Sequence, residues 1–175
     1  MKKNLLIGGV LAIGLLLTGC NSKVKDAKAV EITSGVVTQD IRIGEKLKDI
    51  EIKDQFDKKH KILPTTKKII IVCKKSTGHL VKEYLNKKPL DYLAKRNIQF
   101  IADVSKMPSF IYKMVALPDL QEHKYPIMVI LDEKIGAKYK NEQYQEMVMV
   151  VHIDNLTVKN VKFIANEKDL IKEID

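Results

Sequence analysis

The sequence is poor in cysteine: its 175 residues contain only Cys20 and Cys73, and there is no tryptophan. No Cys-x-x-Cys or His-x-x-x-His spacing occurs, so the common dithiol and zinc-binding patterns are absent. A chain with so few thiols cannot depend on a disulfide framework. We therefore expect its stability to come from an apolar core.

The sequence also lacks any recognisable nucleic-acid-binding motif. Its formal net charge of +9 could attract nucleic acid, anionic lipid or an acidic partner. The lysines, however, are spread along the chain and alternate with acids, as in Asp57-Lys58-Lys59. This pattern indicates a solvated, lysine-rich surface, and we expect no nucleic-acid partner. Apolar residues make up 45% of the chain, which excludes a disordered protein.

The N-terminal residues have the parts of an export signal. Lys2 and Lys3 supply positive charge, and the apolar stretch 5–17 is too short for a permanent membrane span of roughly 20 residues. It ends in Leu17-Thr18-Gly19-Cys20, which resembles the lipobox of bacterial lipoproteins. The resemblance implies cleavage after residue 19 and attachment of lipid to Cys20, with acyl chains such as palmitate as the membrane anchor. The mature chain would have 175 − 19 = 156 residues, with Cys73 as its free thiol.

The residues after Cys20 bear on where the protein is held. Residues 20–40 are polar and small, and we expect a tether in which Val36-Val37 could add an edge strand. Asp after the lipidated cysteine resembles an inner-membrane retention signal in Gram-negative cells. The presence of Asn21 instead favours the periplasmic face of the outer membrane if the cell is Gram-negative. We therefore expect localisation in the cell envelope, with the membrane as one partner and an envelope protein as another.

Hydrophobic periodicity predicts an α/β domain over residues 41–175. The run 69–73 is β-branched without alternation, as expected for a central strand buried on both faces. In the helix after Pro108, the residues Phe110, Ile111, Met114 and Val115 share one apolar face. The predicted order begins with a hairpin at 49–63, a buried strand at 69–73, a helix around 80–85, a helical piece from Pro89 to Lys95 and a strand at 98–102. It continues with a helix from Pro108 that Pro118 ends, a strand at 127–131, a loop or irregular edge at 132–145, strands at 147–153 and 157–164, and a helix capped by Asn166.

This order resembles the thioredoxin-like fold, and in particular its redoxin branch. The stretch 43–54 looks like the N-terminal opening of redoxins, and Tyr125-Pro126 with the strand 127–131 looks like the strand introduced by a cis-proline. The resemblance covers about residues 41–174. It implies a central mixed β-sheet flanked by helices, with an N-terminal β-hairpin. It also implies a cis peptide before Pro126 and antiparallel partners for the strand that follows.

The sequence departs from that family where its redox chemistry would lie. Thioredoxin-like oxidoreductases place Cys-x-x-Cys at the start of the first helix, where the helix dipole stabilises a thiolate. Here the corresponding stretch 74–81 has no cysteine. Because dithiol exchange needs two nearby thiols, we expect a redox-inactive domain with a binding or assembly role rather than an enzyme. The alternative is a single-thiol redox protein in which Lys74 and Lys75 activate Cys73, against the simpler reading of a core cysteine.

The first helix and the proline loop supply the remaining candidates for a functional surface. In a thioredoxin-like fold these two regions face each other, so a common surface is expected for Ser76, Thr77, His79, His123, Tyr125 and Pro126. Ser76, Thr77 and Gly78 are also compatible with an anion pocket or with a plain helix cap. A metal chaperone around His79 and His123 is a further alternative. We expect no resident metal and no other cofactor.

Overall fold

The structure, a computed structural model, describes residues 27–175. The export signal expected at 1–19, the lipid-attachment residue Cys20 and the first residues of the expected tether lie outside this described part. No helix within it is long and apolar enough to cross a membrane.

Eight strands are found in the described residues, six in one sheet and two in a separate hairpin. They are β1 (Val30–Ile32), β2 (Glu51–Lys53), β3 (Lys59–Lys61), β4 (Lys68–Val72), β5 (Ile98–Asp103), β6 (Met128–Ile130), β7 (Val148–Asp154) and β8 (Thr157–Ile164). The sheet order is β1-β8-β7-β4-β5-β6, and β2 pairs with β3. Strands β4, β5 and β6 are parallel, whereas β7, β8 and β1 are paired antiparallel.

Helical segments connect the strands and cover both faces of the sheet. They are α1 (Lys75–Leu85), α2 (Tyr92–Lys95), α3 (Ser109–Ile111), a π-helical segment (Tyr112–Ala116), α4 (Leu117–Gln121), α5 (Glu133–Tyr139) and α6 (Glu167–Ile174). The central strand β4 serves two cores with alternate side chains. Ile70 and Val72 pack with α1 and α6 on one face, and Ile69 and Ile71 pack with α5 and the hairpin on the other. This explains the unbroken apolar run of β4.

The hairpin and the cap of the last helix agree with the sequence prediction. Strands β2 and β3 pair antiparallel, with Glu51 opposite Lys61. The turn between them closes on Asp54, whose carboxylate accepts hydrogen bonds from the backbone N–H groups of Phe56 and Lys58. Asn166 caps α6, since its side-chain oxygen accepts from the N–H of Asp169 at 2.9 Å.

The prediction of a tether is wrong for residues 30–40. Strand β1 forms the edge of the sheet, with Val30 opposite Phe163 of β8. Further on, Val37 is buried and the Thr38 hydroxyl donates to the carbonyl of Lys138 at 2.7 Å. The apolar residues of this polar stretch are too isolated for a periodic pattern, and their pairing with a distant strand supplies the order. Val36 makes only an isolated bridge, so the edge strand lies before the expected position.

The prediction of a loop at 132–145 is also wrong, because α5 lies within it. The Asp132 carboxylate accepts from the N–H groups of Lys134 and Ile135, which satisfies the open first turn of the helix. Ile135 and Tyr139, four residues apart, turn the apolar side of α5 toward the core. The helix is only seven residues long, so these two side chains were its whole periodic signal.

The helix after Pro108 does not end at Pro118. The wider turns of the π-helical segment come directly before it, and the chain then continues as α4 to Gln121. A proline lacks the N–H for a regular turn, and the π segment accommodates this local change in hydrogen bonding. Three members of the expected apolar face are solvent-exposed, Phe110 by 63%, Met114 by 77% and Val115 by 60%.

The strand introduced by Pro126 has a different partner from the one implied by the redoxin resemblance. Strand β6 runs parallel to β5 at the edge of the sheet, and no cis peptide bond occurs in residues 27–175. The antiparallel neighbour of β4 is β7, which follows Glu146-Met147 instead of a proline. The expected cis peptide and antiparallel pairing at Pro126 are therefore wrong. The direction of β6 depends on the helical crossover from β5 through α3 and α4, which brings the chain back to the same end of the sheet.

Candidate functional site

A cavity of about 470 Å³ opens between α1, the carboxyl ends of β4 and β5, and the helical segment from α3 to α4. The carboxyl ends of parallel strands are the usual place for ligands in α/β sheets. The volume is also within the range of small-molecule sites. The fold therefore provides a concave site next to the start of α1, the region in which the sequence predicted a functional surface.

The interior of the cavity is apolar. Its floor is formed by Val72 from β4 and by Phe100 and Ala102 from β5. Its far wall is formed by Ile111, Val115 and Leu120 from the helical segment. Gly78 of α1 also lines the cavity and leaves space in it, because a Cβ atom at this position would come no closer than 4.0 Å to Val72 Cγ2. A ligand in this space would lose contact with water mainly on its apolar surface.

Charged side chains line the mouth of the cavity. They are four lysines and two carboxylates: Lys74, Lys75, Lys82, Lys106, Asp103 and Asp119. The formal balance is 4 − 2 = +2. Lys82 pairs with Asp119 across the cavity, and Lys74 pairs with Glu146 at 3.1 Å. In the described part of the chain, Lys75 and Lys106 have no carboxylate within ion-pair distance. Two cations are thus available at the mouth.

Lys82 is the most unusual of these charges because it is 8% exposed. A buried ammonium is unfavourable unless it is paired, and Asp119 of α4 supplies the partner. The hydrogen bond from Lys82 lowers the pKa of Asp119, so the carboxylate stays ionised. The sequence prediction missed Lys82 and Asp119. Lys82 follows Gly78 and His79 by one helical turn, which was the available signal that these residues share a face.

Cys73 lies directly after β4 and contributes to the wall of the cavity. Burial, with the negative charge of Asp103 as a second cause, raises the pKa of its thiol to about 12. Lys140 and Lys74 act in the opposite direction but more weakly. The thiol is therefore protonated at neutral pH and is a poor nucleophile, because the thiolate is the reactive form.

The start of α1 places the two predicted hydroxyl residues in different roles. Lys74 is the residue before the helix, and the Thr77 hydroxyl donates to its carbonyl at 2.9 Å while accepting from its N–H at 3.3 Å. The Thr77 side chain is therefore buried, and its hydroxyl satisfies backbone groups at the start of α1. Ser76 is exposed, and neither residue lines the cavity.

Of the other residues predicted to form the functional surface, only His79 lines the cavity. His123 is buried near the end of α1, where its Nδ1 lies 3.2 Å from the Asn86 side-chain oxygen. Burial and the charge of Lys82 lower the pKa of His123. The ring of Tyr125 stacks on His123 with centroids 5.4 Å apart, and its hydroxyl has no partner among residues 27–175. Pro126 is exposed beyond this pair.

Gln55 of the hairpin turn, also missed from the sequence, fixes the loop that carries His123 and Tyr125. Its Nε2 donates to the carbonyls of His123 at 3.1 Å and Tyr125 at 2.9 Å. Its Oε1 accepts from the N–H of Ile127 at 2.8 Å. The hairpin thus holds in place the loop before β6.

No group of three or more His, Cys, Asp or Glu side chains suited to a metal ion occurs within residues 27–175. His79 and His123 do not share a ligand cluster there. Asp119 is the group that both affect, since each histidine lowers the pKa of its carboxyl after the larger effect of Lys82.

The sequence has no significant match to a protein-family model or to a curated protein. Solved structures, in contrast, are similar over most of the chain. A Bacteroides thetaiotaomicron protein assigned as a protein disulfide isomerase aligns with a TM-score of 0.53 at 17% identity, covering 79% of this chain and 89% of that one. A thiol peroxidase from Chromobacterium violaceum gives 0.46 at 14% identity, covering 81% and 88%. The thiol:disulfide interchange protein DsbE of Chlorobium tepidum gives 0.48 at 14%, covering 77% and 96%.

At such low identity these similarities show the fold alone. The chain has the thioredoxin-like α/β fold, a central mixed sheet flanked by helices, with structural neighbours among redoxin-type proteins. The fold class predicted from the sequence is confirmed. Activity does not follow from the fold, because function depends on the residues at the site.

Proposed function

We propose that this protein is a lipid-anchored component of the bacterial cell envelope whose thioredoxin-like domain binds a ligand or an envelope partner without thiol chemistry. The observation that carries the proposal is the position of Cys73, which among residues 27–175 is the one cysteine and lies directly after β4, outside the first turn of α1. Its pKa of about 12 leaves almost no thiolate at neutral pH. The first turn of α1, where redox-active relatives of this fold have cysteines, contains Lys75, Ser76 and Thr77 instead.

The cavity supports a binding role at the same location. It is preformed, mostly apolar inside and charged at its mouth, which is the general composition of small-molecule sites. Lys82 and Asp119 link its two helical walls and keep their charges satisfied. These features serve binding and require no reactive thiol.

The lipid anchor is the second part of the proposal and rests on Leu17-Thr18-Gly19-Cys20. Bacteria producing the protein would be fed an alkyne analogue of palmitate, and the protein would be tested for label and for membrane association. We expect both in the unmodified chain and neither in Cys20→Ser. Equal labelling of the two chains would contradict the anchor.

A single-thiol redox protein is the second candidate function, because Cys73 lines the cavity and a small reactant could approach it. Peroxide consumption and disulfide reduction would be measured for Cys20→Ser and for Cys20→Ser/Cys73→Ser. We expect the same background rates from both chains. A rate that disappears with Cys73 would refute the non-redox proposal and establish the second candidate.

A further inference from the structure

The shape of the cavity defines the apolar part of its ligand. Val72, Phe100 and Ala102 close the floor, while Ile111, Val115 and Leu120 close the wall. Burial of apolar ligand surface against these side chains is favourable in proportion to the area removed from water. These six side chains offer no polar group to orient a polar ligand core.

The mouth defines the charge of the ligand. Lysines outnumber carboxylates there by four to two, and Lys75 and Lys106 are without ion pairs in the part of the chain that the structure describes. A cationic group would be repelled at this mouth, whereas an anionic group would form charge-assisted hydrogen bonds with the two lysines. The apolar interior and the cationic mouth together require an amphipathic ligand.

Apolar surface continues outside the mouth along one helical segment. Phe110 and Met114 are 63% and 77% exposed, and they neighbour Ile111 and Val115, which line the cavity. Val115 is itself 60% exposed, so it lies at the edge of the cavity. Large exposed apolar side chains grouped beside a cavity indicate a surface that becomes covered on binding.

We propose that the cavity binds a single-chain amphipathic carboxylate, such as a medium-chain fatty acid. Its tail lies on the apolar floor, and its carboxylate lies at the mouth between Lys75 and Lys106. The inference deepens the proposed binding function, on which it rests, by naming the ligand class. The ion pair of Lys82 with Asp119 remains in place as part of the wall.

The direct test is calorimetric titration of the full chain carrying Cys20→Ser with hexanoate, octanoate and decanoate. Each methylene that enters the cavity should tighten binding about fourfold, so decanoate should bind about fifteenfold more tightly than octanoate. Decylamine has the same tail with a positive head and should not bind. Absence of decanoate binding, or equal affinity for decylamine, would overturn the proposal.

A phosphate-headed lipid is the other source of an anionic single chain. Lysophosphatidylglycerol with a matched tail would be titrated in parallel. We expect decanoate to bind more tightly, because only two lysines at the mouth are without ion pairs and two carboxylates lie among them. This arrangement favours one small anionic group over a larger headgroup. Binding of the lysophospholipid alone would overturn the assignment to a carboxylate.

Variants locate the site. Gly78→Leu should fill the cavity and weaken decanoate binding about tenfold or more. The control is Glu83→Leu, an exposed position of the same helix outside the cavity, which should bind as the parent chain does. A Gly78→Leu chain that retains the parent's thermal transition and still binds equally would refute the location.

The charge of the mouth is tested by Lys75→Glu/Lys106→Glu, which should weaken decanoate binding about tenfold. The matched control is Lys168→Glu/Lys172→Glu on α6, which changes the net charge equally but lies away from the cavity. Equal loss in both variants would refute a specific role for the mouth. If Cys73 proves redox-active while decanoate still binds, the proposed function fails and the ligand site stands; an inert thiol without decanoate binding gives the reverse.

Discussion

Replacing Gln55 by alanine should be among the most damaging single changes on the surface-facing hairpin. The side chain is 2% exposed and forms three hydrogen bonds with the backbone of the loop before β6. Alanine would leave two carbonyls and one N–H without these partners. At a net value of about 1 kcal/mol for each bond, and somewhat more for a buried group left unpaired, the loss is about 3–4 kcal/mol.

The loss would be measured by urea unfolding of the Cys20→Ser chain, followed by far-UV circular dichroism. For a domain of this size it corresponds to a fall in Tm of about 10 °C. Gln121→Ala is the control, because the exposed Gln121 side chain gives only one bond, to the Gln55 carbonyl at 3.0 Å. It should cost less than about 1 kcal/mol. A Gln55→Ala loss as small as that of the control would refute the role of Gln55 in fixing the loop.

The isosteric change Gln55→Glu adds a pH signature to the same reasoning. A carboxylate at this position would be buried and would face the carbonyls of His123 and Tyr125, so its folded pKa should rise above the unfolded value of about 4.3. A raised carboxyl pKa means that folding takes up a proton. The variant should therefore lose stability as pH rises through the folded pKa and recover it on acidification. A stability deficit that is constant with pH would contradict this.

Three further predictions concern packing and charge elsewhere in the fold. Gly136→Ala should destabilise by about 1–3 kcal/mol in urea unfolding, because its Cβ would overlap Ser105 Oγ and lie 2.8 Å from Asp103 Oδ1. A neutral effect would show that α5 is free to shift. Gly78→Ala should instead stabilise by about 0.5–1 kcal/mol in the same assay, because a helical glycine is replaced where there is space for a methyl group. Destabilisation would mean that the added methyl group clashes with the cavity side of α1. Burial alone would raise the pKa of Glu173, but hydrogen bonds from His152 and Lys162 lower it to about 2. The ionised carboxylate should therefore stabilise the fold by at most about 3 kcal/mol, fully above the unfolded pKa of about 4.5 and no longer as pH falls toward about 2. In acid unfolding the stabilities of the parent and Glu173→Gln should converge, and a difference that persists there would contradict the ion pairs.

The parts of the fold that the sequence predicted correctly are those with strong local signals. The β-branched run of β4 can be buried on both faces only at the centre of a sheet, and Asn166 with Asp169 marks a helix start directly. The hairpin likewise follows from alternation and a polar turn. In each case a few neighbouring residues contain the whole physical cause.

The errors arose where long-range pairing decides the structure. Strand β1 depends on β8, more than a hundred residues later, and nothing local in Val30–Ile32 reveals that partner. The direction of β6 depends on the helical crossover from β5 through α3 and α4, whose continuation past Pro118 the sequence pattern did not predict. Because β6 is parallel to β5, Tyr125 and Pro126 lie away from the mouth of the cavity instead of at it.

The candidate site was only partly predictable for the same reason. The start of α1 was identified from the missing cysteines, and His79 lines the cavity as part of it. The other wall comes from a helical segment in which Phe110, Met114 and Val115 are exposed, so most of the apolar face predicted for it does not pack into the core. A concave site formed by distant segments has no sequence pattern of its own.

The reactivity of Cys73 tests the central claim most directly. The Cys20→Ser chain, with Cys73 as its only thiol, would be titrated with a thiol reagent from about pH 5 to about pH 9 in native buffer and after unfolding. With a thiol pKa of about 12, we expect negligible labelling of the folded protein across this range and rapid labelling once it unfolds. Fast labelling of the folded protein with a midpoint below about pH 8 would show an activated thiolate and contradict a non-redox domain.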